Sequence, residues 1–568
     1  MDRRIRQLAG IITFMLLAVA ASAGWVQGIR AEHIATYEPQ AANGDQARNR
    51  FRIFQECRWE RGPILSIDGQ VLAESVRNPG NRCIYERKYP AGDLAPHVVG
   101  QWSLHFGKTG LESSYNSDLV GEVLPAQDFA DLFRQRPRVG RTLVSTIDTR
   151  LQEVALEALA DRRGGVVALN PKTGAVLVAA SNPSYEPDDL ADNNRSMAVR
   201  ARCDLGIGFQ QLSDGTLRKD SNGNNIECEN PAAPLLSVAL QARRPPGSTF
   251  KVVTAAAALE SGKYTPDTPS IPSTGSYVAP GESQQFDINN YGQGSCGGSL
   301  ANALRVSCNT AFAQVAVDIG ADRLYDTAQA MGLDQVGGAD FVGCEGESVA
   351  DIALTRTGCL PQELHSQNAD GSERIERLST PGFRARAGFG QWVIQTSPFG
   401  MAQVAATVAN GGFVPKPRFA ERVIDRTGAT VREIRTGIGQ SAMSPEAAGQ
   451  LAQMMRRVVT SGTAAGALGG FSPAVAGKTG TADQPSCPAS EAAAFGITQE
   501  RCRTLAHAWF IAFAPAEDPT IAVAVLIERG GGLAQATGGR VAAPVARQVL
   551  DSYFKLYPAA GEPQDEEQ

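Results

Sequence analysis

The chain opens with a run that carries no charge: residues 8–29 contain only apolar residues, glycine, serine, threonine and one glutamine. As a helix this run spans roughly 33 Å, enough to cross the hydrocarbon core of a bilayer. Beyond it the apolar pattern changes period. Short alternating segments, Gly62-Pro-Ile-Leu-Ser-Ile and Gly69-Gln-Val-Leu-Ala, predict strands, and Leu151 to Ala160 predicts an amphipathic helix. Gly165-Val-Val-Ala-Leu and Ala175-Val-Leu-Val-Ala-Ala flank Asn170-Pro-Lys-Thr-Gly174, a strand–turn–strand pattern. Three further strands are predicted at the other end, over Ala474–Ala482, His507–Ala514 and Ile521–Glu528, with a closing helix from Ala543 to Phe554. Between the two groups of strands the chain is alanine-rich and reads as helical, most clearly over Phe250–Glu260. The pattern is that of an α+β protein.

Three polar motifs punctuate it: Ser248-Thr-Phe-Lys251 after Pro245-Pro-Gly, then Ser307-Cys-Asn309, then Lys478-Thr-Gly-Thr481. A serine hydroxyl is a weak nucleophile until a base takes its proton. Positions i and i+3 share a helix face, so Lys251 can place its amine beside Ser248 Oγ. Burial and the nearby cation Lys478 would lower the pKa of that amine. A helix N-terminus at Ser248 favours developing negative charge. Each motif alone has an ordinary reading: Ser248 as a helix cap, Ser-Cys-Asn as a helix-terminal turn, Gly-Lys-Thr-Gly as a hairpin turn. Their joint order is specific.

In that order the motifs resemble the catalytic signature of penicillin-binding proteins and serine β-lactamases. Arg61-Gly62 with Asp68-Gly69, and later Gly107-Lys-Thr-Gly-Leu-Glu112, resemble the opening of class B penicillin-binding proteins. The resemblance covers nearly the whole chain and is strongest to the short penicillin-binding protein A group of actinomycetes. It implies a penicillin-binding/β-lactamase-like transpeptidase domain over residues 141–558, with a five-stranded antiparallel sheet packed with helices plus a helical subdomain. A cytoplasmic terminus and membrane anchor (1–30) and an extended, β-rich pedestal or dimerisation-type domain (31–140) precede it. The Lys-Thr-Gly at 108–110 has no upstream Ser-x-x-Lys and fits the non-catalytic pedestal. By the same resemblance Ser248 is the nucleophile, Lys251 its base, and Ser307 with Lys478 a proton relay to the leaving amine. Asn309, Thr479, Gly480 and Thr481 hold the substrate, and the backbone N–H groups of Ser248 and Thr481 form an oxyanion hole. The implied activity is a membrane-anchored serine D,D-transpeptidase that cross-links peptidoglycan stem pentapeptides to an acceptor amine and is acylated by β-lactams. Cell-division or elongation proteins are the implied protein partners. A D,D-carboxypeptidase, a β-lactamase, and a non-enzymatic β-lactam sensor or divisome scaffold are the alternatives. The length and single uncharged span disfavour the hydrolases and the sensor, and the intact motifs disfavour the scaffold.

Composition narrows the rest. A net charge of -6 and a pI near 5.6 argue against a nucleic-acid partner, and 568 residues allow two to four domains. The five histidines are scattered, so neither a metal site nor a cofactor is expected; His507 reads as a strand residue with a structural partner. Arg3, Arg4 and Arg6 precede the uncharged run, which predicts a single-pass plasma-membrane protein with its catalytic domain outside. Ala21-Ser-Ala23 as a signal-peptidase site is the alternative. Ten cysteines suit that oxidising side. Many pairings are open, but the spacings suggest five local staples in chain order, the middle one joining Cys296 to Cys308 across the Ser-Cys-Asn turn. Residues 200–231 form a polar insertion, expected as a surface loop pinned by Cys203 and Cys228 near the cleft. The acidic tail, 559–568, is expected to be disordered.

Overall fold

The computed structural model describes Met15 and residues 56–558, apart from 79–82, 124–137, 334–357 and shorter breaks. The anchor and the acidic tail therefore lie outside the described residues, Met15 excepted. Among the described residues no helix is long and apolar enough to cross a membrane.

The first layer is a six-stranded mixed sheet. Strands β1 (Ile64–Leu65), β2 (Val71–Arg77) and β3 (Tyr85–Lys88) come first, then β4 (Thr142–Ser145), which pairs in parallel with β1. After the helix α1 (Thr149–Leu159), capped by Asp148, come β5 (Gly164–Leu169) and β6 (Val176–Asn182). The helices α2 (Arg195–Asp204), α3 (Lys251–Glu260), α4 (Leu300–Arg305), α5 (Asn309–Ile319) and α6 (Pro398–Ala409) follow. The hairpin β7 (Ala420–Ile424) and β8 (Thr430–Glu433) then returns to the first sheet, giving the order β8-β7-β4-β1-β2-β3. The stretch 413–441, for which the sequence pattern predicted no strand, is thus largely β. Its turn explains why: Asp425 Oδ1 accepts the N–H groups of Thr427 (2.8 Å) and Ala429 (3.0 Å), and Gly428 supplies the positive φ.

The core of that first unit is ionic. Glu112 is fully buried between Arg61 (2.5 Å) and Arg87 (2.6 Å). Burial opposes its charge, but the two guanidinium groups hold its carboxyl below the usual carboxylate range. The Arg-Gly and Gly-Leu-Glu signatures of the sequence are the two sides of this cluster. In the Lys-Thr-Gly at 108–110, Lys108 pairs with Glu56 (2.9 Å) and Gly110 turns at φ +55 against Val98 O.

Downstream, α7 (Pro445–Ser461) precedes β9 (Ala476–Asp483), β10 (Leu505–Ala514), β11 (Ile521–Gly532) and α8 (Gly538–Leu556). The five-stranded sheet runs β6-β5-β11-β10-β9, antiparallel throughout, as the sequence implies. Residues 506–514 of β10 and 521–529 of β11 are all buried, which requires cover on both faces. The helices α1 and α8 pack together and on the sheet, and α6 packs on β5, β10 and β11. The closing helix starts at Gly538, five residues earlier than predicted, and carries Pro544 inside it. Only a residue without Cβ fits there, because a Cβ on Gly538 would lie 2.0 Å from Trp509 O.

Disulfides join Cys57–Cys83, Cys203–Cys228, Cys296–Cys308 and Cys487–Cys502, in the expected chain order. The fifth expected pair involves Cys344, outside the described residues. The insertion at 200–231 is not beside the cleft. It leaves the chain after β6, the sheet edge opposite β9, and α2 packs on Pro187–Ala191, which contacts β3. Arg202 sits 4.7 Å over the ring of Phe106 in the first unit. The disulfide ties the insertion to α2, and α2 carries it to that side.

Candidate active site

The Pro-Pro-Gly run ends in a 3-10 turn, Gly247–Phe250, that leads directly into α3. Ser248 is half-buried in this turn and Lys251 is the first residue of the helix, one turn on and fully buried. The apolar run Val252–Leu259 buries α3 on every side, so Lys251 is anchored in the core. Ser307 occupies the tight corner between α4 and α5 at φ +61, a left-handed backbone that a non-glycine residue adopts only where its surroundings impose it. Here Ser307 N–H donates to Leu304 O (3.2 Å), Cys308 N–H donates to Ala303 O (2.9 Å), and the Cys296–Cys308 disulfide ties the corner to a neighbouring strand.

Lys251 Nζ lies 2.7 Å from Ser307 O, 2.7 Å from Asn309 Oδ1 and 3.3 Å from Ser307 Oγ. Lys478, from β9, donates to Ser307 Oγ (2.9 Å) and to Thr479 O (2.8 Å). The Ser307 hydroxyl therefore sits between two buried lysine amines, and among the described residues no carboxylate pairs with either. Burial, and then the Lys478 charge, push Lys251 well below the usual lysine range. Burial pulls Lys478 down to about 7. A neutral amine has two N–H groups and one lone pair. The two close contacts of Lys251 are to oxygens that only accept here, which leaves the lone pair free for a hydroxyl.

Five of the sequence-predicted residues, Lys251, Ser307, Asn309, Lys478 and Thr479, thus meet in one hydrogen-bonded group. Lys251 directs its hydrogen bonds to Ser307 and Asn309, and among the described residues the Ser248 hydroxyl makes none. Ser248 is joined to the group through the backbone, its carbonyl accepting Lys251 N–H. Thr481 lies across from Ser248, with its carbonyl 2.4 Å from where a Cβ on Gly247 would be. A Cβ on Gly480 would lie 2.7 Å from Pro246 O. The two glycines let the strand and the nucleophile turn meet backbone to backbone. His507 is a structural residue: it is buried and neutral, and its Nδ1 accepts Arg529 N–H (3.1 Å).

Two further residues reach the site that the three motifs do not mark. Thr463, after α7, places its hydroxyl 2.5 Å from that of Thr479, and Gln391 Nε2 donates to Thr481 O (3.3 Å). Only Ser461-Gly-Thr463, a small-residue run between a helix and a strand, hinted at a close approach.

Comparison with known proteins agrees with this geometry. Residues 164–551 match the family described as penicillin binding protein transpeptidase domain, and residues 61–143 match the penicillin binding protein A dimerisation domain. The chain is 33% identical over 525 residues to the peptidoglycan D,D-transpeptidase PbpA of Mycobacterium tuberculosis H37Rv, covering 90% of this chain and 92% of that one. It is 32% identical over 561 residues to PbpA of Mycolicibacterium smegmatis, covering 97% and 98%. Among solved structures it is similar to the ceftriaxone acyl-enzyme complex of penicillin-binding protein A from M. tuberculosis, with a TM-score of 0.68, 30% identity, and coverage of 88% of this chain and 99% of that one. A relative acylated by a β-lactam, a matching transpeptidase domain and an assembled Ser/Lys, Ser-x-Asn, Lys-Thr-Gly cleft make one argument: the chain belongs to the penicillin-binding protein transpeptidase family.

Proposed function

We propose that this protein is a peptidoglycan D,D-transpeptidase in which Ser248 is acylated by the penultimate D-alanine of a donor stem. The observation that carries the reading is the Ser307 hydroxyl held 2.9 Å from one depressed lysine amine and 3.3 Å from another, beside the turn that bears Ser248. Neutral Lys251 takes the Ser248 proton as Oγ attacks the carbonyl. The negative oxygen that forms is met by the N–H groups of Ser248 and Thr481. As the C–N bond breaks, the proton passes through Ser307 to the leaving D-alanine amine, with Lys478 steadying Ser307 and drawing the donor carboxylate. The hydroxyls of Thr479 and Thr481, and the open backbone beside Gly480, receive that carboxylate, while Asn309 orients the donor amide. An acceptor amine then enters where D-alanine left, gives up its proton along the same path, and forms the cross-link.

A plasma-membrane anchor at residues 8–29, with the catalytic domain outside, fits this substrate, which lies beyond the membrane. Cell-division or elongation proteins are the partners expected of such an enzyme. The test is product analysis on pentapeptide donor with and without an acceptor amine, alongside acylation by labelled penicillin. Acceptor-dependent dimer supports the reading; tetrapeptide alone, with acceptor in excess, would make the protein a carboxypeptidase.

A further inference from the structure

The proposed reaction leaves one charged group on the active-site strand without a role. The pairing of β9 with β10 is unbroken from Ala476 opposite Phe513 to Asp483 opposite Ala506. The carbonyls of Thr479 and Thr481 turn away from β10 and receive Lys478 Nζ and Gln391 Nε2. Asp483 is the next residue in that alternation. It is exposed at the end of the strand, and among the described residues its carboxylate has neither an ion pair nor a hydrogen bond. Neighbouring protein nonetheless desolvates it and holds its carboxyl above the usual carboxylate range. Such a carboxylate gains from a cation that arrives with the substrate.

The donor's direction follows from the proposed function, on which this inference rests. With the terminal carboxylate at Lys478 and Thr479 and the scissile carbonyl at the Thr481 N–H, the stem lies antiparallel to β9. Its upstream residues run towards Asp483. Thr481 and Asp483 are two strand steps, about 7 Å, apart. That distance is within reach of a long side-chain amine on the residue immediately before D-Ala-D-Ala. We propose that Asp483 is a specificity-determining residue that binds the side-chain ammonium of a diamino acid at that position, so that donors with this amine free are preferred over donors with it blocked.

The full-length protein is given two pentapeptide donors, one with the third-residue side-chain amine free and one with it acetylated, and D-alanine release is followed. A charge-assisted contact predicts that the wild type uses the free-amine donor roughly tenfold more efficiently in kcat/KM. Asp483→Asn should bring the ratio to within about twofold, by loss on the free-amine donor alone, as expected when a single charge-assisted contact is removed. Asp483→Glu should keep most of the ratio, and Asp518→Asn, a surface change at the exposed Lys172–Asp518 pair, should keep all of it. Labelled-penicillin adduct formation reports that each variant is folded. Equal use of both donors by the wild type, or an undiminished ratio in Asp483→Asn, overturns the proposal. Cross-linked product is scored in the same samples, so a failure of the transpeptidase reading is seen separately from a failure of the ratio.

Discussion

Lys478→Met should make the protein more stable at neutral pH while removing its activity. The pKa of Lys478 falls from 10.5 in the unfolded chain to about 7 in the fold, with burial as the cause. A base whose pKa is depressed on folding destabilises the fold as pH drops from the unfolded value towards the folded one, because the unfolded chain binds the extra proton. At pH 7 that term is about 4 kcal/mol against the fold, and at pH 10 it is below about 1 kcal/mol. Methionine has similar volume and no charge, and it loses the hydrogen bonds to Ser307 Oγ and Thr479 O, together about 1–3 kcal/mol. The net expectation is a gain of about 1–3 kcal/mol at pH 7 and a loss of about 0–2 kcal/mol at pH 10. Urea unfolding of both proteins at the two pH values reads the sign change directly. If Lys478→Met is destabilised equally at both, the buried amine is not under desolvation strain and Lys478 stays charged at neutral pH.

The remaining predictions concern chemistry, geometry and topology. Ser248→Ala should abolish the single β-lactam adduct seen by intact mass, and an adduct that survives the change places the nucleophile elsewhere. Lys251→Ala should slow acylation by about 10²–10⁴-fold and flatten the wild-type decline in rate at low pH, since protonation of that amine removes the base; near-wild-type acylation in the variant rules out the base role. Replacing Cys296 and Cys308 by serine opens a closure of 12 residues worth about 3 kcal/mol, and should slow acylation more than it lowers the unfolding midpoint; unchanged acylation kinetics would mean the Ser307 corner holds without the staple. A reporter active only outside the membrane, fused after Gln568, should be active, and recovery of the full-length chain as a soluble species beginning near Gly24 would show a cleaved signal instead of an anchor.

The parts of the fold that were legible in the sequence are those whose cause is local. The valines and alanines of β5, β6, β10 and β11 announce themselves as buried strands, and Pro245-Pro-Gly announces the break before Ser248. The order of the three motifs named residues that the fold brings together, because chemistry fixes residue type and spacing together. The parts that were not legible depend on distant chain segments. Nothing near Ala420 says that β7 will pair with β4, some 280 residues earlier, as Ala420 does with Ser145. Thr463 and Gln391 matter through where α7 and the Gly390 turn end, and the insertion at 200–231 follows α2 to a side that its polar composition cannot specify. The hydrogen bonds of Lys251 belong to the same class. The i+3 spacing puts the amine on the Ser248 face, but the oxygens that hold it come from a corner more than fifty residues away.

The glycines at the motifs show why the three signatures stand or fall together. A Cβ on Gly247 would lie 2.4 Å from Thr481 O, one on Gly480 would lie 2.7 Å from Pro246 O, and one on Gly538 would lie 2.6 Å from Gly480 O. The strand β9 is thus clamped by backbone on two sides, by the nucleophile turn and by the start of α8. At each of the three positions the nearest atom is backbone, which yields less than the end of a flexible side chain. The clamp holds Thr481 against the turn that bears Ser248, where the proposed oxyanion hole requires two N–H groups at a fixed separation. The Lys-Thr-Gly at 108–110 has the same letters without this clamp. Its glycine serves a tight turn at φ +55 against Val98 O, and its lysine pairs with Glu56. Backbone closes on both glycines, that of residues 98 and 100 on Gly110 and that of residues 246 and 538 on Gly480, so what separates Lys478-Thr-Gly480 from Lys108-Thr-Gly110 is which segments meet there.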